Sequence, residues 1–302
     1  MSALAMALIV GLAVLLGGAG LAGWLAARHP LRVWVWAARR SLLRSGLKHL
    51  TVPSPTGPQT VFVGGSGPVL VLLHGAGDQA GTWARVVPGL IQDHTLVIPD
   101  LAGHGRSAPA AGPIEMSALV AGLEAVLAGQ GRATLVGNSL GAWMAMVLAE
   151  RHPERVERVV AVNGGALKGP FGPVNLLPRN RQEARETMAG LRDPDNPPVP
   201  DAVLDEMVRR GPRGPLARML AAAAGMEAWV MDEARLRTFP VPVRLVWGTS
   251  DRLRPLDYAR QMLEALPDAR LFPIAQCGHI PQQEAPGRFL AALGRALSDQ
   301  AD

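Results

Sequence analysis

The sequence predicts an α/β fold, a mostly parallel central sheet with helices on both faces, and three observations carry that prediction. Short apolar runs (Val69–Leu73, Ala133–Val136) have the length and β-branched content of strands buried on both faces. They alternate with helical patterns such as Met116–Ala128 and Leu140–Arg151, the rhythm of a parallel sheet. Small and polar residues cluster just past the carboxyl ends of these runs, where an open α/β sheet presents its reactive loops.

The 302 residues suffice for one large domain with an insertion. Residues 1–27 read as a single transmembrane helix. Ser2 to Ala27 carries no charge, closes with Trp24 near its end, and would extend about 38 Å, more than the hydrocarbon core of a bilayer. A cleaved signal peptide would need a basic leading region and a shorter apolar core. Residues 28–50 hold Arg28, Arg32, Arg39, Arg40, Arg44 and Lys48 without one acid. Arg32 to His49 therefore reads as a basic amphipathic helix along the lipid headgroups, or alternatively as a solvated linker helix. Basic residues on this side predict a membrane localisation with the remaining body facing the cytoplasm. Without those six, 24 of the 30 Lys and Arg remain against 25 Asp and Glu. The net charge of +5 is thus local, which argues against nucleic acid as a partner.

Residues 51–163 and 240–302 form the predicted α/β core. Gln59–Val63 reads as an antiparallel strand, followed by strands at Val69–Leu73, Thr95–Ile98, Ala133–Val136 and Val156–Val162. Helices are expected over roughly Gly81–Gln92, Met116–Ala128 and Leu140–Arg151. The rhythm breaks at Asn163, and 164–239 reads as a helical lid punctuated by Pro and Gly. Its Met188, Met207, Met219 and Met226 suit either an adaptable apolar wall or ordinary packing. After it come strands at Val243–Trp247 and Ala269–Pro273 and helices at Pro255–Leu266 and Gln283–Leu297.

The chemistry centres on Gly137-Asn138-Ser139-Leu140-Gly141, set between a strand and a helix. Glycines at both ends allow a turn too tight for a β-carbon, which projects the Ser139 hydroxyl beside the positive end of a helix. A serine needs a base, and the base needs an acid to orient it. Asp251 and His279 each follow a strand, and the order Ser139, Asp251, His279 matches one catalytic arrangement known for this strand–turn–helix context. Asp251 read alone could be a turn residue, and His279 a loop histidine. His74 and His104 read as structural, Asp100 lies too early for the acid, and Cys277 reads as an ordinary buried thiol. No Cys or His cluster has metal-ligand spacing, and no cofactor is implied.

From about Thr51 onward the chain resembles the α/β-hydrolases. The resemblance rests on His74-Gly75-Ala76-Gly77, Pro99-Asp100 with Gly103-His104-Gly105-Arg106-Ser107, the Ser139 motif, Trp247-Gly248 with Asp251, and Gly278-His279 with Pro281 and Glu284. It implies an α/β-hydrolase fold with a helical lid, catalytic Ser139, Asp251 and His279, and an oxyanion hole from the backbone N–H groups of Ala76 and Leu140. Ala142 stands where many relatives carry a third glycine. With the amino-terminal span, the chain is most similar to membrane-anchored monoacylglycerol-lipase-like esterases. That implies a lipophilic ester substrate of medium or long acyl chain, membrane lipid as a neighbour, and no obligate protein partner. A carbon–carbon bond hydrolase of ring-cleavage products is the alternative within enzymes. An inactive membrane-tethered binding module is the alternative outside them. A carboxylate nucleophile, as epoxide hydrolysis and dehalogenation require, is excluded by Ser139.

Overall fold

The computed structural model describes residues 23–24, 27–169 and 171–298. Eight strands form one sheet: β1 Lys48–Val52, β2 Gln59–Gly64, β3 Val69–Leu73, β4 Thr95–Pro99, β5 Ala133–Asn138, β6 Val156–Val162, β7 Val243–Gly248 and β8 Ala269–Ile274. Their order is β1-β2-β4-β3-β5-β6-β7-β8. β1 and β2 join antiparallel, β2 pairs antiparallel with β4, and all other pairings are parallel. This is the α/β-hydrolase architecture.

Side-chain alternation along the central strands builds two cores. Val71, Leu73 and Leu135 face one side, where they pack with helices α3 (Met116–Ala128), α4 (Leu140–Arg151) and α9 (Leu256–Ala265). Leu70, Leu72 and Val136 face the other, with Trp83 and α11 (Pro286–Ser298). Because both faces are covered, the central strand Val69–Leu73 reads as unbroken apolar sequence. Each buried Leu or Phe contributes about 1.5–3 kcal/mol by leaving water.

The amino-terminal half departs from the sequence reading in two places, the basic helix and the helix expected over Gly81–Gln92. Among the described residues no helix is long and apolar enough to cross a membrane. The span expected at 1–27 lies outside the described residues except for Gly23, Trp24 and Ala27. The basic helix, α1 (Pro30–Arg44), is shorter than expected. Gly46 turns the chain at φ 95°, and Lys48 then enters β1, so the expected helical end at His49 is a strand. Moreover α1 packs one face on the body: Ala38 and Leu42 are buried, and Arg39, expected to meet lipid, is buried against Asp100. The helix expected over Gly81–Gln92 is instead a 3-10 turn at Ala80–Trp83 and one helical turn, α2 (Val87–Leu90), because Pro88 lacks the donor that a continuous helix needs there.

The segment between β6 and β7 carries α5 (Arg181–Leu191), α6 (Asp201–Arg210), α7 (Pro215–Leu220) and α8 (Glu233–Leu236), with 3-10 turns between them. Its sole β pairing among the described residues is the isolated bridge Leu167–Met231. Met219 and Met231 are buried in the core. α6 also touches α1: the Leu31 N–H donates to the buried Glu206 carboxylate at 2.6 Å.

Candidate active site

Ser139 sits between β5 and α4 with φ 54° and ψ −113°, a left-handed conformation that serine adopts only under constraint. The constraint is the crowding of this turn. A β-carbon on Gly137 would come within 2.2 Å of the Gly141 carbonyl, and one on Gly141 within 2.2 Å of the Leu73 carbonyl. Both values lie far inside contact distance, so only glycine fits at either position. From Ala133 to Leu140 every residue is buried except Ser139, which is partly exposed. Leu140 opens α4, and the first N–H groups of a helix have no acceptor within it. Ala76 lies opposite, in the sharp turn after β3, where a β-carbon on neighbouring Gly75 would touch the Ser139 side chain at 3.4 Å.

β7 and β8 deliver the other two side chains. Asp251 Oδ2 lies 2.7 Å from His279 Nδ1, and both groups are buried. Asp251 Oδ1 accepts the N–H groups of Leu253 and Arg254 at 2.8 and 3.0 Å. With the carboxylate held on the far side, Nδ1 carries the proton and Nε2 is left as the basic nitrogen. The His279 loop is tied to the serine turn: Asn138 Nδ2 donates to the His279 carbonyl at 2.9 Å. Among the described residues no hydrogen bond joins the Ser139 hydroxyl to His279. Such contacts are often long before substrate binds and tighten in the reacting complex.

Several residues around this centre escaped the sequence reading as participants. Asn163, fully buried at φ 47°, donates from Nδ2 to Asp251 Oδ2 at 2.6 Å and accepts the Gly248 N–H at 3.1 Å. It therefore shares Asp251 Oδ2 with the imidazole and helps fix the carboxylate against it. Its position directly after β6 was the available signal. Glu284 accepts the Gly278 N–H at 2.9 Å and the Asp193 N–H at 2.7 Å, bracing the His279 loop against the segment after α5.

His74 and His104 are buried beneath the turn after β3. His74 Nε2 accepts the Leu101 N–H at 2.9 Å, and its Nδ1 lies 2.8 Å from the Gly75 carbonyl, so the ring links that turn to the end of β4. Burial lowers its pKa, partly opposed by Asp78 and Asp100. Burial, with His74 beside it, pushes His104 down to about 3. Burial pushes the Cys277 thiol up to about 12, which makes it a poor nucleophile. Asp100 accepts the Ala80 and Arg106 N–H groups, each at 2.8 Å, and pairs with Arg39, a structural post. Among the described residues no group of three His, Cys, Asp or Glu could hold a metal ion.

Two cavities flank the lid. The larger, about 330 Å³, lies between the start of α3 and residues 222–229 and touches none of Ser139, Asp251 or His279. The smaller, about 210 Å³, is walled by Trp143, Leu167, Phe171 and Val230 and likewise touches none of the three. No methionine of the 164–239 segment lines either cavity, so the Met-rich wall open as one reading of the sequence is not what these spaces present.

The sequence matches the Alpha/beta hydrolase family over residues 70–293. It is 30% identical over 265 residues to an uncharacterized protein of Mycobacterium tuberculosis, covering 78% of this chain and 76% of that one. It is 28% identical over 254 residues to the 2-hydroxymuconate semialdehyde hydrolase of Pseudomonas sp. strain CF600, covering 78% of this chain and 88% of that one. Among solved structures, a membrane phospholipase A described as a bacterial virulence factor superposes with a TM-score of 0.77 at 22% identity, over 97% of this chain and 98% of that one. This chain belongs to the alpha/beta hydrolase family.

Proposed function

We propose that the protein is a membrane-anchored serine hydrolase that cleaves carboxylic esters, monoacylglycerol-type esters among them, through an acyl-enzyme. The observation that carries this reading is the buried Asp251–His279 hydrogen bond of 2.7 Å, tied through Asn138 to the strained turn bearing Ser139. In the proposed reaction His279 Nε2 takes the Ser139 proton as Oγ attacks the acyl carbon. Asp251 then balances the imidazolium, and the Ala76 and Leu140 N–H groups receive the oxyanion. His279 returns the proton to the leaving alcohol, and water, deprotonated by the same imidazole, releases the acid.

The uncharged run before α1 supports the anchor. So does the outward face of α1, where Val33, Trp36 and Leu43 stand exposed among Arg32, Arg40 and Arg44. On this reading the catalytic body faces the cytoplasm. Ser139→Ala tests the chemistry. Turnover of p-nitrophenyl esters should fall by about 10⁶, and unchanged turnover removes Ser139 from its role.

A second reading, carbon–carbon bond hydrolysis, is favoured by the curated relatives, which include the 2-hydroxymuconate semialdehyde hydrolase. It uses the same three side chains. Turnover of vinylogous diketones without turnover of simple esters would select it.

A further inference from the structure

Ser139, His279 and the Ala76 N–H lie on three separate loops, after β5, β8 and β3. The contacts behind these loops converge on α10 (Pro281–Glu284), which begins two residues after His279. Gln282 on α10 is fully buried. Its Nε2 donates to Asn138 Oδ1 at 3.2 Å and to the Thr82 hydroxyl oxygen at 3.3 Å. Asn138 immediately precedes Ser139, and from its other end Nδ2 donates to the His279 carbonyl at 2.9 Å. One short stretch, 279–282, therefore grips the Asn138 side chain at both ends.

Thr82 carries the same link to the oxyanion turn. The Asp78 N–H donates to the Gly75 carbonyl at 3.3 Å and closes a turn with Ala76 and Gly77 at its centre, Gly77 at φ 77°. The Asp78 carboxylate accepts from Gln283 Nε2 at 3.0 Å and is bonded by the Thr82 hydroxyl, whose oxygen also accepts from Gln283 Nε2 at 2.5 Å. Packing does not account for Gln282. Its Oε1 is buried with no hydrogen-bond partner among the described residues, a cost that an apolar side chain of the same size would avoid. The part of the amide that is used is its donor end, and both hydrogens of that end go to neighbouring loops.

We propose that Gln282 is a positioning residue. Through Asn138 and Thr82 it sets the register of the serine turn, the His279 loop and the oxyanion turn, and so the spacing of nucleophile, base and oxyanion donor. The proposal rests on Ser139 being the nucleophile and His279 its base. A misplacement of about 1 Å between reacting groups can cost about a hundredfold in rate. Because Gln282 acts through its neighbours and not on the substrate, the loss belongs in kcat.

The test combines steady-state kinetics on p-nitrophenyl butyrate with urea unfolding of the full chain in dodecyl maltoside micelles. Gln282→Met keeps the length of the side chain and removes the donor. It should lower kcat by about tenfold to a hundredfold with KM changed by less than about twofold. The variant loses the orphaned Oε1 but orphans Asn138 Oδ1 in its place, so the urea midpoint should stay where it is. Thr82→Val should also lower kcat, and Thr82→Ser, which keeps the hydroxyl, should restore most of that loss. Combined with Gln282→Met, Thr82→Val should cost less than the product of the two single effects. An unchanged kcat in Gln282→Met, a kcat that falls only in step with the folded fraction, or single effects that multiply in full overturns the proposal. Hydrogen exchange read at peptide level separates it from the nucleophile assignment. Residues 276–285 should exchange about tenfold faster in Gln282→Met, with residues 243–248 unchanged. Unchanged exchange at 276–285 sinks the positioning role whatever the kinetics. Faster exchange there, in a chain whose unmodified form turns over no ester, upholds the link between the loops and overturns ester hydrolysis instead.

Discussion

Asp100 and Asp251 occupy nearly equivalent places. Each follows a parallel strand, β4 or β7, each is buried, and each takes two backbone N–H groups at 2.8–3.0 Å. Their remaining partners differ. Asp100 meets the guanidinium of Arg39, a fork of donors with no acceptor, so the pair holds α1 to the body. Asp251 meets the imidazole of His279, a group able to act as a general base, and a neutral amide, Asn163, that cannot replace it as a charge partner. The same carboxylate in the same kind of loop becomes a fastener or an orienting acid according to whether its partner is a guanidinium or an imidazole.

Three experiments press on that comparison. Asp251→Asn should lower kcat by about 10⁴, because the imidazole loses both its tautomer and the charge that stabilises its protonated form. Steady-state kinetics on p-nitrophenyl esters would show this. Arg39→Met should act the other way round. It leaves the Asp100 carboxylate buried without its cation and should cost about 3–5 kcal/mol of stability in urea unfolding, with turnover per folded molecule nearly unchanged. If Arg39→Met cut the turnover of folded protein as deeply as Asp251→Asn, the distinction between the two aspartates would fail.

The smallest effect concerns imidazoles that do not pair with a carboxylate. Burial holds His104 at about 3 against an ordinary value of 6.5, and it lowers His74 as well. The folded state therefore keeps these rings neutral while the unfolded chain protonates them. The His104 contribution is complete above pH 6.5 and is lost as the pH falls from 6.5 towards about 3, and His74 acts in the same direction. At pH 5 the loss should reach about 2 kcal/mol for His104. His104→Leu should flatten the decline in unfolding free energy between pH 6.5 and 5, and an unchanged slope would place the acid sensitivity elsewhere.

Much of this was legible in the sequence because the relevant physics is local. The run Val69–Leu73 announces a strand buried on both faces, and Gly137 and Gly141 announce a turn that excludes a β-carbon. What the sequence hid depends on residues far apart in the chain. Nothing local to Arg39 distinguishes it from Arg40, yet Asp100 lies 61 residues away and buries only the first. His49 continued an amphipathic pattern, but β2 offered it a strand partner in Phe62. Asn163 was visible as a residue after a strand, while its grip on Asp251 spans 88 residues and required the assembled sheet. Arg254 reads in sequence as one more loop arginine, and only the stacking of Phe171 and Tyr258 reveals where its charge is held.

The central claim is that Ser139 is the activated nucleophile. It is tested most directly by treating the full chain with a fluorophosphonate and mapping the adduct by peptide mass spectrometry. The adduct should lie on Ser139 alone, form slowly in His279→Ala, and be absent from Ser139→Ala. An unlabelled protein, or an adduct on any other residue that persists in Ser139→Ala, would contradict the account.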